Sequence, residues 1–192
     1  MKLYVVSTSP FARKVRLVAL VLDLPLDLVE TPPLDDPPAL LAANPLGKVP
    51  ALELDDGSVL FDSPVIVQAL DDMAGHRLLA PMGPERWEAL RGEALADGIM
   101  EAAVGRTMEL RRPEGDRSAL WLGRYRRAIE RGLAEAAKAP PAWPRLPALA
   151  LACALEYLDL RHGDLAWRDG QPALAAWHAA LADTPFLAAT RP

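Results

Sequence analysis

Apolar residues recur at two different periods along this chain, and the change of period divides it. Lys2–Val6 is a short, nearly continuous apolar run, the pattern of a buried strand. From Pro10 to Leu22 the apolar positions are Phe11, Val15, Val18, Ala19 and Leu22, which is helix spacing. Leu26–Val29 predicts a second strand and Pro38–Ala43 a short helix or turn. Ala51–Leu54 and Val59–Phe61 flank Asp55-Asp56-Gly57-Ser58, turn chemistry that predicts a hairpin. Ser63–Ala74 is helical again. The predicted order is βαβαββα, an α/β unit closed by the hairpin.

Beyond Gly75 the strand patterns stop. GHRLLAPMGP, residues 75–84, carries two glycines and two prolines and predicts a linker. Glu85–Arg111 and Ser118–Lys138 then predict long helices, Ala148–His162 an apolar one, and Pro172–Leu181 a short last one. APPAWPRLP, residues 139–147, holds four prolines and predicts a loop. The expected domains are therefore 1–76, α/β, and 84–192, all helical. Charge follows the same division: residues 1–78 carry 6 Lys/Arg against 11 Asp/Glu, and the remainder 15 against 15.

Composition narrows the function classes. Of 192 residues, 51% are apolar and 24% charged, with a net charge of −5. This is an ordinary globular balance, with no basic footprint for nucleic acid or an anionic membrane surface. There is no stretch of eighteen apolar residues and no charged-then-apolar leader, so the expected location is cytoplasmic, with no membrane partner. The single cysteine, Cys153, excludes an intrachain disulfide and reads as core. His76, His162 and His178 are too scattered to build a zinc site with it, so no metal is expected.

Three short stretches carry candidate chemistry. TSP at 8–10 and DSP at 62–64 each place a serine before a proline that opens a predicted helix, a favoured capping arrangement. In a βαβαββα unit both helices begin at the carboxyl ends of strands. Their N-termini there offer partial positive charge and free N–H groups to an anion. The third stretch is NPLGKVPAL, 44–52, in which Val49-Pro50 leads directly into a predicted strand, where proline is normally unwelcome. A cis bond would explain the placement, yet cis occurs at only about 5–6% of such bonds, and spacing alone predicts trans.

Taken together, TSPFARKVR, NPLGKVPAL and FDSPVI resemble the glutathione S-transferase superfamily, and EALADGIMEA and LACALEYLDLR extend the likeness past the linker. The resemblance implies a thioredoxin-like N-terminal domain, an all-helical C-terminal domain and a glutathione site. Ser63 and Asp62 then match the pair that holds the carboxylate and ammonium of the γ-glutamyl end. Val49, before a cis Pro50, matches the residue whose backbone pairs with the cysteinyl unit. Lys48 matches a partner for the glycyl carboxylate, while its neighbour Asn44 reads as structural. Ser9 falls where family members set a serine, cysteine or tyrosine against the sulfur, with Thr8 the second candidate.

The chemistry needs no metal. Lowering a thiol pKa by about two units from 8.5 requires roughly 2.7 kcal/mol of preference for the anion. A hydroxyl bond to a charged atom supplies about 1.5–3 kcal/mol and a helix N-terminus about 0.3–1. The resemblance thus implies a transferase joining the glutathione thiolate, as cosubstrate, to a hydrophobic electrophile, with detoxification as its usual setting. The alternative is a glutathione-binding or partner-binding module without turnover. Disulfide exchange is disfavoured because Ser9-Pro10-Phe11-Ala12 lacks cysteine. Arg13 reads as exposed. Met100, Val104, Met108 and Trp121 are candidates for the second-substrate wall, with core packing the competing assignment. The family's capping box before the apolar helix is missing, since Arg145 and Ala148 stand at those positions. That predicts a helix beginning near Pro147 with a compensating first turn. Two-fold dimers are common in the family, and Arg86, Arg91 and Arg106 are compatible with one.

Overall fold

The computed structural model describes residues 1–191. Tertiary contacts group the chain into two compact units, Met1–Trp87 together with the stretch from Thr184 onward, and Glu88–Asp183. The terminal segment therefore belongs by contact to the first unit, whereas linear reading carries the helical part to the chain's end.

The first unit follows the βαβαββα order. Strand β1 (Lys2–Val5) leads to helix α1 (Pro10–Val21), then β2 (Asp27–Glu30), α2 (Pro38–Ala43), β3 (Ala51–Glu53), β4 (Val59–Leu60) and α3 (Ser63–Met73). The sheet order is β2-β1-β3-β4. Strands β1 and β2 are parallel, with Tyr4 opposite Val29, while β1 and β3 are antiparallel, with Tyr4 opposite Ala51. The hairpin pairs Leu52 with Leu60. This is the thioredoxin-like arrangement the resemblance implies.

Strand alternation distributes the core. Tyr4 and Ala51 bury one face with Leu40 and Ala43 of α2, joined by Val29, Val49, Val59 and Phe61. Leu3, Val5 and Leu52, on the alternate face, are also buried, and α1 and α3 pack together. The predicted linker does not hang free. Both Asp71 carboxylate oxygens accept backbone N–H bonds, from Leu78 at 2.7 Å and Leu79 at 3.0 Å. Arg77 donates to the carbonyls of Leu22 and Val21, which end α1.

The second unit is helical. Helix α4 (Pro84–Arg111) runs into it, followed by α5 (Ala119–Lys138), α6 (Leu146–Arg161), α7 (Trp167–Gly170) and α8 (Pro172–Ala179). The short α7 and the terminal α9 (Pro185–Thr190) have too few residues for periodicity to reveal. No side chain caps α6. Its compensation is a tightened first turn: Ala148 and Leu149 N–H both donate to Arg145 O, and Pro147 has no N–H to satisfy. Helix crossings rely on absent side chains, since a Cβ on Gly132 would lie 2.6 Å from Ile99 Cγ1, and one on Gly105 2.6 Å from the Tyr125 ring.

Arg106 is buried in this unit. It donates to both Asp164 carboxylate oxygens and to His162 Nδ1, while His162 Nε2 faces Ala103 O at 2.8 Å. Arg86, for its part, binds Ala80 O and Gln68 within the first unit. Neither guanidinium is the free surface charge suggested for a partner. Met100 is 0% exposed and is core rather than a substrate wall, whereas Met108 and Trp121 are exposed. Among the described residues no helix is long and apolar enough to cross a membrane.

Candidate functional site

Register places three segments at one edge of the sheet. Strand β1 runs toward that edge and continues into Val6–Ser9. Strand β3 runs antiparallel to β1, so Lys48–Pro50, which precede Ala51, lie at the same edge. Strand β4 reverses once more, so Phe61–Ser63, which follow Leu60, arrive there too. Across the order β1-β3-β4 the segments span two strand spacings, about 10 Å. An extended peptide of three residues covers about the same distance.

Ser9 is the N-cap of α1, in extended conformation, with Pro10 opening the helix. Its Oγ accepts the Ala12 N–H at 3.2 Å, and its own N–H donates to Val6 O at 2.9 Å. A hydroxyl has one donor proton besides its acceptor lone pairs. The cap bond uses an acceptor site and leaves the proton for another atom. Backbone and sulfur therefore need not compete for this oxygen, as a simple either-or view of the cap suggests.

The DSP stretch differs from its twin. Helix α3 begins at Ser63 itself, so Asp62 is the N-cap residue and Pro64 takes the second helical position. The Asp62 side chain makes no capping bond and is exposed, whereas Ser63 is 2% exposed. Among the described residues the Asp62 carboxylate, the Ser63 hydroxyl, the Thr8 hydroxyl and the Lys48 ammonium have no hydrogen-bond or ionic partner.

The Val49–Pro50 bond is cis, contrary to the expectation from spacing and as the resemblance implies; Phe61–Asp62 is cis as well. The Val49 side chain packs against the core cluster. Its N–H and C=O pair with no backbone or side-chain group among the described residues. A short length of unpaired strand edge is thus held in place by a half-buried side chain packed on the core, the arrangement β-augmentation uses.

Asn44 is the contrasting case. It is 1% exposed and fully used: Nδ2 donates to Lys48 O at 2.8 Å, and Oδ1 accepts from Leu46 N–H at 3.0 Å. Gly47 supplies the left-handed residue the turn needs, at φ +60. Asn44 thereby sets the path of Lys48 and Val49, and its structural assignment is correct. Glu30 was missed by sequence reading: its carboxylate accepts the Ser7 N–H at 2.9 Å and fixes the β1–α1 turn. The only sequence signal is an acidic residue closing a strand parallel to β1. Arg13 is a correction. It is 3% exposed rather than a surface charge, because its α1 face is covered by α9.

The comparisons agree with this geometry. Residues 3–78 match the family model for the glutathione S-transferase N-terminal domain. The GST-like protein YibF of Escherichia coli K12 is 33% identical over 181 residues, covering 91% of this chain and 90% of YibF. The chain belongs to the glutathione S-transferase superfamily. A glutathione transferase family member from Pseudomonas fluorescens Pf-5, crystallised with bound glutathione, is 39% identical with a TM-score of 0.92, covering 100% of this chain and 98% of that one. A glutathione S-transferase from Methylobacillus flagellatus KT with glutathione bound is 37% identical, with a TM-score of 0.91 over 100% and 98% of the chains. The resemblance seen in TSPFARKVR, NPLGKVPAL and FDSPVI thus extends through both units.

Proposed function

We propose that this protein binds glutathione at the sheet edge and joins its sulfur, with the tripeptide intact, to an electrophilic carbon of a hydrophobic cosubstrate, with Ser9 as the catalytic residue. The observation that carries the proposal is the division of labour among polar groups at that edge. Asp62, Ser63, Lys48, Thr8 and the Val49 backbone keep their bonding capacity, while Asn44 and Glu30 beside them spend theirs on the scaffold. The carboxylate and ammonium of the γ-glutamyl end fit Ser63, the α3 N-terminus and Asp62. The cysteinyl unit pairs with Val49 as an added strand, and Lys48 takes the glycyl carboxylate. Relatives crystallised with glutathione support the same ligand.

In the reaction the bound thiol loses its proton to solvent and the Ser9 O–H donates to the resulting thiolate. The sulfur lone pair forms a C–S bond. Either a leaving group departs with its bonding electrons, or an activated alkene takes up a proton at the neighbouring carbon. Calorimetric titration with glutathione, together with the thiolate absorbance of the bound form against pH, tests the proposal. The expected result is saturable binding with a thiol pKa lowered by about two units. Binding without acidification leaves a non-catalytic glutathione-binding module, and no binding at all sinks both. On this reading the protein acts as a dimer, and sedimentation of the chain as a 20.8 kDa monomer would remove that part.

A further inference from the structure

Arg13 stands one turn beyond Ser9, and its two ends do different things. Its backbone N–H donates to Ser9 O at 3.0 Å, closing the first turn of α1. Its side chain crosses to the chain's last helix, where Nε donates to Thr190 Oγ1 at 3.3 Å and Nη2 to Leu187 O at 3.3 Å. Leu187 and Thr190 are both fully buried. The guanidinium lies against carbonyl-bearing turns near the C-terminus of α9, where a helix presents its negative end. The Thr190 hydroxyl, as it accepts from Arg13, can send its own proton to Phe186 O or Leu187 O. A buried guanidinium of this kind is tolerated only with its donors satisfied, and its planar fork fits two acceptors that a lysine cannot engage together.

We infer that Arg13 is a positioning residue for the Ser9 hydroxyl, and that α9, through Thr190 and Leu187, sets where that hydroxyl points. The inference rests on the transferase reading of Ser9. The turn from Ser9 to Arg13 is the first of α1, and through the Arg13 side chain it is bonded to α9. Rotation of α1 about its axis moves the Ser9 oxygen directly. A displacement of about 1 Å at a catalytic group can cost as much as 100-fold in rate. The last helix is thus part of the apparatus that aims the hydroxyl, although it is more than 170 residues away along the chain.

A structural clasp alone would lower stability without touching the sulfur, and this separates the two roles. The experiment uses the full chain with Arg13→Lys, which keeps the charge, and Thr190→Val, which keeps the shape. Bound-thiol pKa is read from thiolate absorbance, glutathione affinity by calorimetry at about pH 5.5, where the thiol is protonated, and thermal midpoint in parallel. The expected result is a bound-thiol pKa raised by about 0.5–1 unit in both variants, a roughly three- to tenfold smaller thiolate fraction, with affinity unchanged. An acidified thiol in the wild type that stays equally acidified in both variants, whatever happens to the thermal midpoint, overturns the inference and leaves the transferase reading standing. A wild-type thiol that is not acidified takes down both. If Arg13→Lys does not fold, Thr190→Val decides alone.

Discussion

Ser9 has two bonding functions on one oxygen: an acceptor that is spent on the helix cap and a donor proton that the cap leaves over. The Ala12 N–H polarises the hydroxyl from behind, and the remaining proton is available in front. Ser9→Ala removes the cap and, on the proposed function, the donor to sulfur. The expected outcome is a bound-thiol pKa raised by one to two units and a transferase rate down by about 10- to 150-fold, the equivalent of 1.5–3 kcal/mol. Thr8→Val, assayed alongside, should leave both nearly unchanged, and the reverse result would transfer the role to Thr8. At the other end of the proposed site, Asp62→Asn removes the charge proposed to face the ammonium while keeping the shape. Glutathione affinity should fall about tenfold or more, with little change in the pKa of whatever thiol remains bound.

At the scale of elements, the loop from Asn44 to Pro50 matters more than its length suggests, because it makes an unpaired strand edge out of a turn. Asn44→Ala deletes two bonds from a buried position, which costs about 1–3 kcal/mol in all. Since the same bonds guide Lys48 and Val49, the KM for glutathione should rise more than kcat falls. A change confined to kcat would contradict the scaffold role. The capping stretches show where sequence reading of elements succeeds. Ser9-Pro10 and Asp62-Ser63-Pro64 signal their helices within three residues, so both starts were legible, with a one-residue shift at α3. The bond geometry at Pro50 was not legible from spacing, because nothing local distinguishes a cis proline; only the wider resemblance did.

For the molecule as a whole, acid sensitivity should reside in the helical unit. Burial holds the His162 pKa below its ordinary 6.5, opposed by its bond to Ala103 O and reinforced by Arg106. The unfolded chain therefore binds this proton at a higher pH than the folded one. The associated stability is complete above about pH 6.5 and is lost as pH falls below it. Asp164, held below its usual range chiefly by its bond from Arg106, adds a second loss at lower pH, as that carboxylate becomes protonated. The thermal midpoint should fall between pH 7 and 5, and His162→Gln, which can keep bonds to both Arg106 and Ala103, should flatten that part of the curve. An unaltered slope would remove His162 as its source. Packing in the same unit gives a further check: Gly132→Ala would drive a methyl into Ile99 and should destabilise the fold by about 1–3 kcal/mol in chemical denaturation.

Element order, the acidic α/β half followed by a helical half, the absence of cysteine at the start of α1, and the three stretches that meet at the sheet edge were all properties of the sequence. Each is written within a few neighbouring residues, in periods, caps and turn chemistry. Burial of Arg13 and Met100, the internal use of Arg86 and Arg106, and the return of α9 to the first unit were decided by tertiary structure. These depend on partners far away in the chain, and an arginine in a helical pattern looks the same locally whether water or a distant helix covers it. The free edge at Val49 belongs to both: the sequence supplies the Lys-Val-Pro, and only the strand register shows that no neighbouring strand takes its bonds.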